Sequence, residues 1–223
     1  MSRKFNALLG LGALAFASSA FAQCPSSPVP PWSSQSALGG TVAIVAGGYD
    51  GTSCRMDAQI TVNGPGVNAF VRDNTPANEP RYRAQFLING DTLTGINSAQ
   101  SAKIFGATTE APANGVADLV RLTITGNLAG TTRILGVFTV CEGQPGSLCS
   151  ASIPLAAGTN RVEIDYQKSA TGSLAVWVNN TNSASPNTTL NGNNNAWGGV
   201  DFAVLGLSAP SPQFRANQLN RAV

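Results

Sequence analysis

Short runs of β-favouring residues, separated by glycine, asparagine and proline, dominate this sequence. No segment repeats its apolar residues with the roughly 3.6-residue period of a helix. Polar and apolar residues alternate strictly from Arg81 to Phe86, as expected of a strand with one buried face. The links NLAG and QKSATG each predict a hairpin turn. We therefore predict an all-β, two-sheet antiparallel sandwich. The predicted strands are TVAIVA, RMDAQITV, RYRAQFLI, SAKIFGA, DLVRLTITG, TTRILGVFTV, NRVEIDY, SLAVWVN and VDFAVLGL.

The first 22 residues have the organisation of an export signal. Arg3 and Lys4 give a basic start, an apolar run follows, and the small-residue pattern AFA ends at Ala22. The apolar run is shorter than the roughly 18 residues that a membrane-spanning helix needs. Lipid attachment to Cys24 is not expected because Gln23, rather than a small residue, precedes it. We expect a cleaved signal peptide over residues 1–22 and a secreted or periplasmic mature chain.

Export changes the interpretation of the four cysteines, because an oxidising compartment favours disulfides. Cys141 and Cys149 flank EGQPGSL, a turn-forming segment that can bring its ends together, so we predict that they pair. Cys24 then pairs with Cys54. A zinc site is not expected, because the cysteines are widely spaced and the sequence contains no histidine.

The predicted mature chain is close to electrically neutral. Removal of Arg3 and Lys4 from 13 basic residues leaves 11, against 11 acidic residues. Neither nucleic acid nor, after signal cleavage, a membrane is therefore an expected partner. The length fits a single domain over residues 41–223, preceded by a proline-rich lead-in over residues 23–40. The oligomeric state stays open.

Two segments resemble a known group of domains. NRVEIDYQKSATGSLAVWVNN resembles the paired strands of laminin-G-like and concanavalin A-like jelly rolls, and NEPRYRAQFLINGDTLTG is similar to the opening strand of such domains in bacterial secreted proteins of unassigned role. The resemblance extends from Ser53 to Leu207. It implies a jelly-roll sandwich and a bias towards binding carbohydrate or protein. Such jelly rolls often hold calcium, for which Asp50 or Asp73 is the candidate; no other cofactor is expected.

Glu163 and Asp165 are the candidate acid pair of a sugar-cleaving enzyme. With Ile164 they resemble the first half of the E-[ILV]-D-x-(x)-E strand of laminarinase-like glycoside hydrolases, but Gln167 and Lys168 stand where the second Glu would be. Strand geometry separates the two carboxylates by about 6.5 to 7 Å, within the roughly 6.5 to 9.5 Å of an inverting pair. Both would nevertheless stand side by side on one strand, with no room for a sugar between them.

The alternation of this strand supports a solvated outer face instead, with a buried face formed by Val162, Ile164 and Tyr166. The absence of histidine also excludes a Ser-His-Asp or Cys-His constellation. We therefore predict that no residue of this protein is catalytic and that the protein is not an enzyme. A degenerate glycoside hydrolase remains the third alternative.

The candidate ligand site is the polar segment over residues 179–199. Asparagine side chains offer donors and acceptors for sugar hydroxyls, and a Trp ring can stack on a sugar. The candidate residues are Asn180, Asn182, Asn195 and Trp197. The alternative is a long polar loop whose Trp197 packs back over the sandwich edge, and Trp177 is expected to pack within its strand. The predicted function is recognition of a glycan or cell-surface protein, with a structural or accessory surface role as the alternative.

The sequence at the end of the chain does not show which residues form the strand that closes the sandwich. No strand with the aromatic-Asp pattern that usually closes such jelly rolls follows Leu207. Either the closing strand is incomplete, which would leave an unpaired sheet edge, or residues 214–223 form that strand.

Overall fold

A computed structural model of the chain describes residues 24–29, 31–49, 51–62, 64–91, 93, 96–113, 116–128, 130, 132–141, 148–212 and 214. Within these residues the chain forms thirteen β-strands and no helix. The strands are β1 (Ser34–Ser36), β2 (Gly40–Ala46), β3 (Cys54–Ile60), β4 (Ala69–Asp73), β5 (Arg81–Asn89), β6 (Ser101–Ala113), β7 (Val116–Gly126), β8 (Arg133–Val140), β9 (Leu148–Pro154), β10 (Thr159–Gln167), β11 (Gly172–Val178), β12 (Thr188–Gly192) and β13 (Phe202–Ser208).

The strands form two packed antiparallel sheets and one additional hairpin. The larger sheet has seven strands in the order β1-β4-β13-β6-β7-β8-β9, and the smaller has four in the order β12-β11-β10-β5. Strands β2 and β3 pair only with each other. Each of the nine runs identified in the sequence contributes to a strand, and both predicted hairpins are present, between β7 and β8 and between β10 and β11. The prediction of a two-sheet jelly-roll sandwich is confirmed.

The core lies between the inner faces of the two sheets. In β10 the alternate residues Val162, Ile164 and Tyr166 are fully buried, as the sequence pattern predicts. The stacked rings of Phe86 on β5 and Phe105 on β6 link the two sheets, with centroids 5.2 Å apart. The inward side chains of each strand therefore fix which residues face outward, because successive residues point to opposite faces.

Four strands, β1, β4, β9 and β12, were not predicted from the sequence, and each is short or lies at a sheet edge. β1, β9 and β12 are sheet edges, where one side of the strand has no neighbour to pack against. β12 lies inside the segment that we expected to be a loop, and Leu190 is the one apolar residue of its TTLNG sequence. β1 belongs to the proline-rich lead-in and pairs with β4, which has only five residues.

Both predicted disulfides are present. Cys24 bonds to Cys54 and Cys141 bonds to Cys149, and no described cysteine is free. Two disulfides indicate an oxidising, extracellular or periplasmic environment. No helix of the described part of the chain has the length and apolarity to cross a membrane.

The predicted signal peptide and most of the predicted closing segment lie outside the described residues. Phe214 is described and belongs to the buried core. The domain boundaries assigned from the sequence remain predictions.

Loss of the Cys141–Cys149 disulfide should destabilise the fold. The bond closes a short loop, with a sequence separation of 8 residues. Chain-entropy arguments give about 2 to 3 kcal/mol for a loop of this size. We expect the Cys141→Ser/Cys149→Ser double variant to lose that much free energy of unfolding in urea titrations. An unchanged unfolding midpoint would contradict this prediction.

Tyr166 should make the fold sensitive to alkali. Its hydroxyl is buried without a hydrogen-bond partner in the described structure, and burial raises its pKa well above the usual range. The unfolded chain releases this proton near pH 10, whereas the folded chain retains it. The associated stability is therefore complete below about pH 10 and is lost as the pH rises further. Tyr166→Phe should show a shallower loss of unfolding free energy above about pH 10 than the unsubstituted protein. Identical pH profiles would show that Tyr166 titrates normally.

Candidate functional site

The outer face of the seven-stranded sheet carries a groove, which we define by two adjoining cavities of about 390 and 400 Å³. Lys103 lines both cavities, so they meet at its side chain. The first cavity extends from β1 across β4 and β13 to β6 and β7, and includes Phe70, Arg72, Thr108, Asp118 and Phe202. The second extends over β7, β8 and β9, and includes Arg121, Thr123, Gly136, Phe138 and Ser152.

A Lys103–Asp118 ion pair occupies the centre of the groove. The Lys103 ammonium Nζ lies 3.1 Å from each Asp118 carboxylate oxygen, and the Thr108 hydroxyl lies 3.2 Å from Oδ1. The side chains of Lys103 and Asp118 are 17% and 24% exposed. The pair is thus shielded from bulk water but remains accessible from the groove, where its charges act more strongly than at an open surface.

An arginine lies on each side of this pair. Register aligns Arg72, Val204, Gly106, Arg121 and Phe138 in one row across β4, β13, β6, β7 and β8. Three strand spacings separate Arg72 from Arg121, which corresponds to about 14 Å between their Cα atoms.

Each arginine packs over a phenylalanine ring on the neighbouring strand. The Arg72 guanidinium carbon lies 3.5 Å from the centroid of Phe202, and that of Arg121 lies 4.6 Å from the centroid of Phe138. Stacking of this kind holds a guanidinium by cation–π attraction while its edge remains free to donate hydrogen bonds. The groove therefore presents two oriented cationic groups with the ion pair between them.

Two glycines keep the floor of the groove low. A Cβ at Gly106 would lie 3.2 Å from Val204, 3.4 Å from Lys103 Nζ and 3.5 Å from Asp118 Oδ1. A Cβ at Gly136 would lie 2.5 Å from the Thr123 hydroxyl and 3.0 Å from the Phe138 ring. Any larger residue at these positions would crowd the side chains above the floor, so the absence of a side chain shapes both cavities.

The carboxylates singled out in the sequence lie elsewhere, on the outer face of the four-stranded sheet. The Asp165 carboxylate pairs with Arg81 at 2.6 Å, and the Glu163 carboxylate pairs with Arg83 at 2.8 Å. Arg83 also lies 3.7 Å from Asp165. The hydrogen bond and charge of Asp165 raise the pKa of Arg81. Glu163 and Asp165 thus lie on the outer face of their strand, as predicted, but they are ion-paired and only 24% and 16% exposed rather than freely solvated.

The ligand site predicted in the polar segment is not assembled around its tryptophan. Trp197 is 1% exposed and belongs to the core, as in the alternative in which it packs back on the sandwich, so neither ring face is open to a sugar. Trp177 packs as predicted, and its Nε1 donates to the Asn182 carbonyl. Asn180 accepts from the Asn182 backbone, and Asn195 is exposed. A binding role for the three asparagines remains a prediction.

The structure provides little support for a metal site. In the described residues no three His, Cys, Asp or Glu side chains are grouped so as to hold a metal ion. Both Asp73 oxygens accept hydrogen bonds from Thr75, and Asp50 lies outside the described residues.

No family model and no curated protein matches this sequence. Solved structures do match its fold. An endo-β-1,4-glucuronan lyase from the fungus Trichoderma reesei superposes with a TM-score of 0.60 at 15% identity, covering 84% of each chain. An alginate lyase from Pseudomonas aeruginosa superposes with a TM-score of 0.54 at 15% identity, covering 75% of this chain and 78% of the other. At such low identity these likenesses establish a shared jelly-roll fold.

The comparison overturns the prediction of a non-enzymatic recognition domain, because both structures are polysaccharide lyases. The prediction weighed Glu163 with Asp165, histidine-based constellations and a serine-lysine arrangement with Lys103 or Lys168, but no lysine-carboxylate pair. It did not consider the outer face of the seven-stranded sheet.

The groove was missed because its residues come from strands far apart in the sequence. Lys103, Asp118 and Arg121 lie on β6 and β7, whereas Arg72 and Phe202 lie on β4 and β13. One signal was available: only 11% of the residues are charged, yet several charges occur inside the strand runs SAKIFGA and DLVRLTITG.

Substitution of Glu163 tests whether the outer face of the four-stranded sheet is independent of the site on the seven-stranded sheet. Glu163→Gln should change the free energy of unfolding by less than about 1 kcal/mol, because its partner Arg83 is largely exposed and such pairs contribute little. Urea unfolding provides the measurement. Polysaccharide cleavage that is lost in this variant, with folding unchanged, would contradict a site on the other sheet.

Proposed function

We propose that this protein is a polysaccharide lyase whose groove on the seven-stranded sheet binds an acidic, uronate-containing polysaccharide. The observation that carries the proposal is the Lys103–Asp118 pair flanked by Arg72 and Arg121 on the outer face of this sheet. The substrate class is supported by the likeness to a glucuronan lyase and an alginate lyase, which act on polysaccharides that carry carboxylates.

A lyase cleaves a 4-linked uronate by elimination. The proton on C5 is removed, the bond between C4 and the glycosidic oxygen breaks, a double bond forms between C4 and C5, and the leaving oxygen takes up a proton. The reaction needs a cation that stabilises charge developing on the uronate carboxylate, a proton acceptor and a proton donor. The groove contains side chains of all three kinds.

In the proposed mechanism the Lys103 ammonium attracts the carboxylate of the reacting sugar, and the arginines on either side bind carboxylates of neighbouring sugars. The Asp118 carboxylate accepts the C5 proton, and the Lys103 ammonium donates a proton to the leaving oxygen. A proton transfer across their 3.1 Å contact then restores both groups. This assignment uses the two titratable groups at the point where the cavities meet, because the sequence has no histidine and no tyrosine lines either cavity.

The same proposal includes export. An export-signal pattern over the first 22 residues and two disulfides support a secreted or periplasmic protein. A carbohydrate-active protein would meet polysaccharide there. The β10–β11 hairpin also supports the narrower resemblance to laminin-G-like domains of bacterial secreted proteins.

Activity on polyglucuronate and alginate tests the proposal. Elimination produces an unsaturated sugar that absorbs in the ultraviolet together with a new reducing end, whereas hydrolysis produces the reducing end alone. We expect the absorbance to rise with the unsubstituted protein. Lys103→Met and Asp118→Asn should each lower the rate by at least about 100-fold, as expected when a general acid or base is lost.

The matched control is Arg83→Gln, which removes a charge from the opposite sheet and should retain activity. Folding of each variant is checked by circular dichroism. The proposal fails if folded, unsubstituted protein releases no unsaturated product from either polysaccharide. It also fails if Lys103→Met and Asp118→Asn are as active as Arg83→Gln.

A further inference from the structure

Arg72 and Arg121 differ in the number of hydrogen bonds that their guanidinium groups make within the protein. Arg72 donates through Nε to Asn74 and pairs with Glu110 at 3.5 Å. The Nε of Arg121 is buried and has no hydrogen-bond acceptor in the described structure. A buried donor without an acceptor is costly. Arg121 as a whole is only partly buried and lines the second cavity, where the rest of its guanidinium, rather than the buried Nε, can meet a ligand.

We propose that Arg72 and Arg121 form two separate carboxylate subsites, so that the groove recognises a block of four sugars whose first and fourth members are acidic. The inference rests on the proposed function and specifies its substrate. Carboxylates suit both positions, because they accept two parallel hydrogen bonds from a guanidinium and bind it more strongly than neutral hydroxyls do.

The spacing of the two arginines determines the length of the block. Each guanidinium lies over a ring on the next strand in the same direction, Arg72 from β4 towards β13 and Arg121 from β7 towards β8. Phe202 lies two residues along β13 from Val204, the residue paired with Arg72, so the two groups are offset by about 6.6 Å along the strands as well as about 14 Å across them, which places them about 16 Å apart. One carboxylate cannot contact both.

A pyranose repeat is about as long as one strand spacing. A sugar chain that crosses the strands therefore advances by three repeats between the arginines. Both subsites are filled only when the first and fourth sugars of a tetrasaccharide carry carboxylates. The Lys103–Asp118 pair then lies beneath the middle of the block, where both cavities meet.

The length dependence of binding tests this inference. The probes are β-1,4-linked glucuronic acid trisaccharide, tetrasaccharide and hexasaccharide, with cello-oligosaccharides of equal length as neutral counterparts. Calorimetric titrations are performed with Asp118→Asn protein, so that the probes are not consumed. We expect a marked gain in affinity from trisaccharide to tetrasaccharide for the acidic series and none for the neutral series.

Arg121→Gln in the same background should remove that gain. It should weaken tetrasaccharide and hexasaccharide binding by about tenfold, the loss expected for one charge-assisted contact, and leave the trisaccharide unchanged, because Arg72 still binds it. Arg121→Lys, which keeps the charge without the planar fork, should recover part of the loss. Arg83→Gln, on the other sheet, should change none of these affinities.

The outcomes separate the two proposals. Equal losses for all three acidic probes, or no loss for any, would overturn the assignment of two subsites while leaving an acidic substrate in place. Failure of every acidic probe to bind would overturn the substrate class of the proposed function and this inference with it.

Discussion

Packing of the four-stranded sheet against the seven-stranded sheet is the interaction on which the other features of this protein depend. The inward residues Val162, Ile164 and Leu122 have no exposed surface. Burial of an aliphatic side chain of this size contributes about 1.5 to 3 kcal/mol, so a one-residue slip of a strand, which would expose its inner face, is strongly opposed. The register fixed by the core also fixes the outward residues, and the row that contains Arg72 and Arg121 is one result.

The two outer faces differ in how their charges are arranged. On the four-stranded sheet Arg81 and Arg83 meet Glu163 and Asp165 in a ladder that largely neutralises itself. In the groove the negative charge of Asp118 neutralises only that of Lys103, while Arg121 has no carboxylate partner among the described residues. A nearly neutral chain can thus present one face that favours anions. Net charge, which argued against acidic partners at the level of sequence, averages over this difference.

The sequence contains most of the information about the sheets and little about the groove. Alternation in β5 and β10 reflects burial of one face, which is a local property, and it predicted both strands correctly. The disulfide between Cys141 and Cys149 was also predictable, because its loop is short. The order of strands in the larger sheet places β13 between β4 and β6, and this long-range pairing has no local signature. Without it, Arg72 cannot be related to Lys103 or Asp118.

The sequence could not decide whether Trp197 of the polar segment is exposed to a ligand or buried in the core. Asparagine and glycine surround Trp197 in the sequence and indicate an exposed loop. The Asn194 side chain, however, donates to the Gln167 carbonyl and accepts from the Ser169 backbone N–H, which folds this segment onto the sandwich with the Trp197 ring in the core. In this segment polar side chains serve as hydrogen-bond partners for backbone N–H and C=O groups. Composition alone cannot distinguish asparagines that bind a ligand from asparagines that hold a loop together.

One wall of the groove is a marginal element of the fold. Ser34, Gln35 and Ser36 line the first cavity, and they form β1, an edge strand with only three residue pairs to β4. Short edge strands open locally at a small fraction of the free energy that unfolds the whole domain. The Cys24–Cys54 bond tethers the same segment to β3. The wall can therefore open locally without unfolding of the domain, so the width of the groove on this side depends on the pairing of β1.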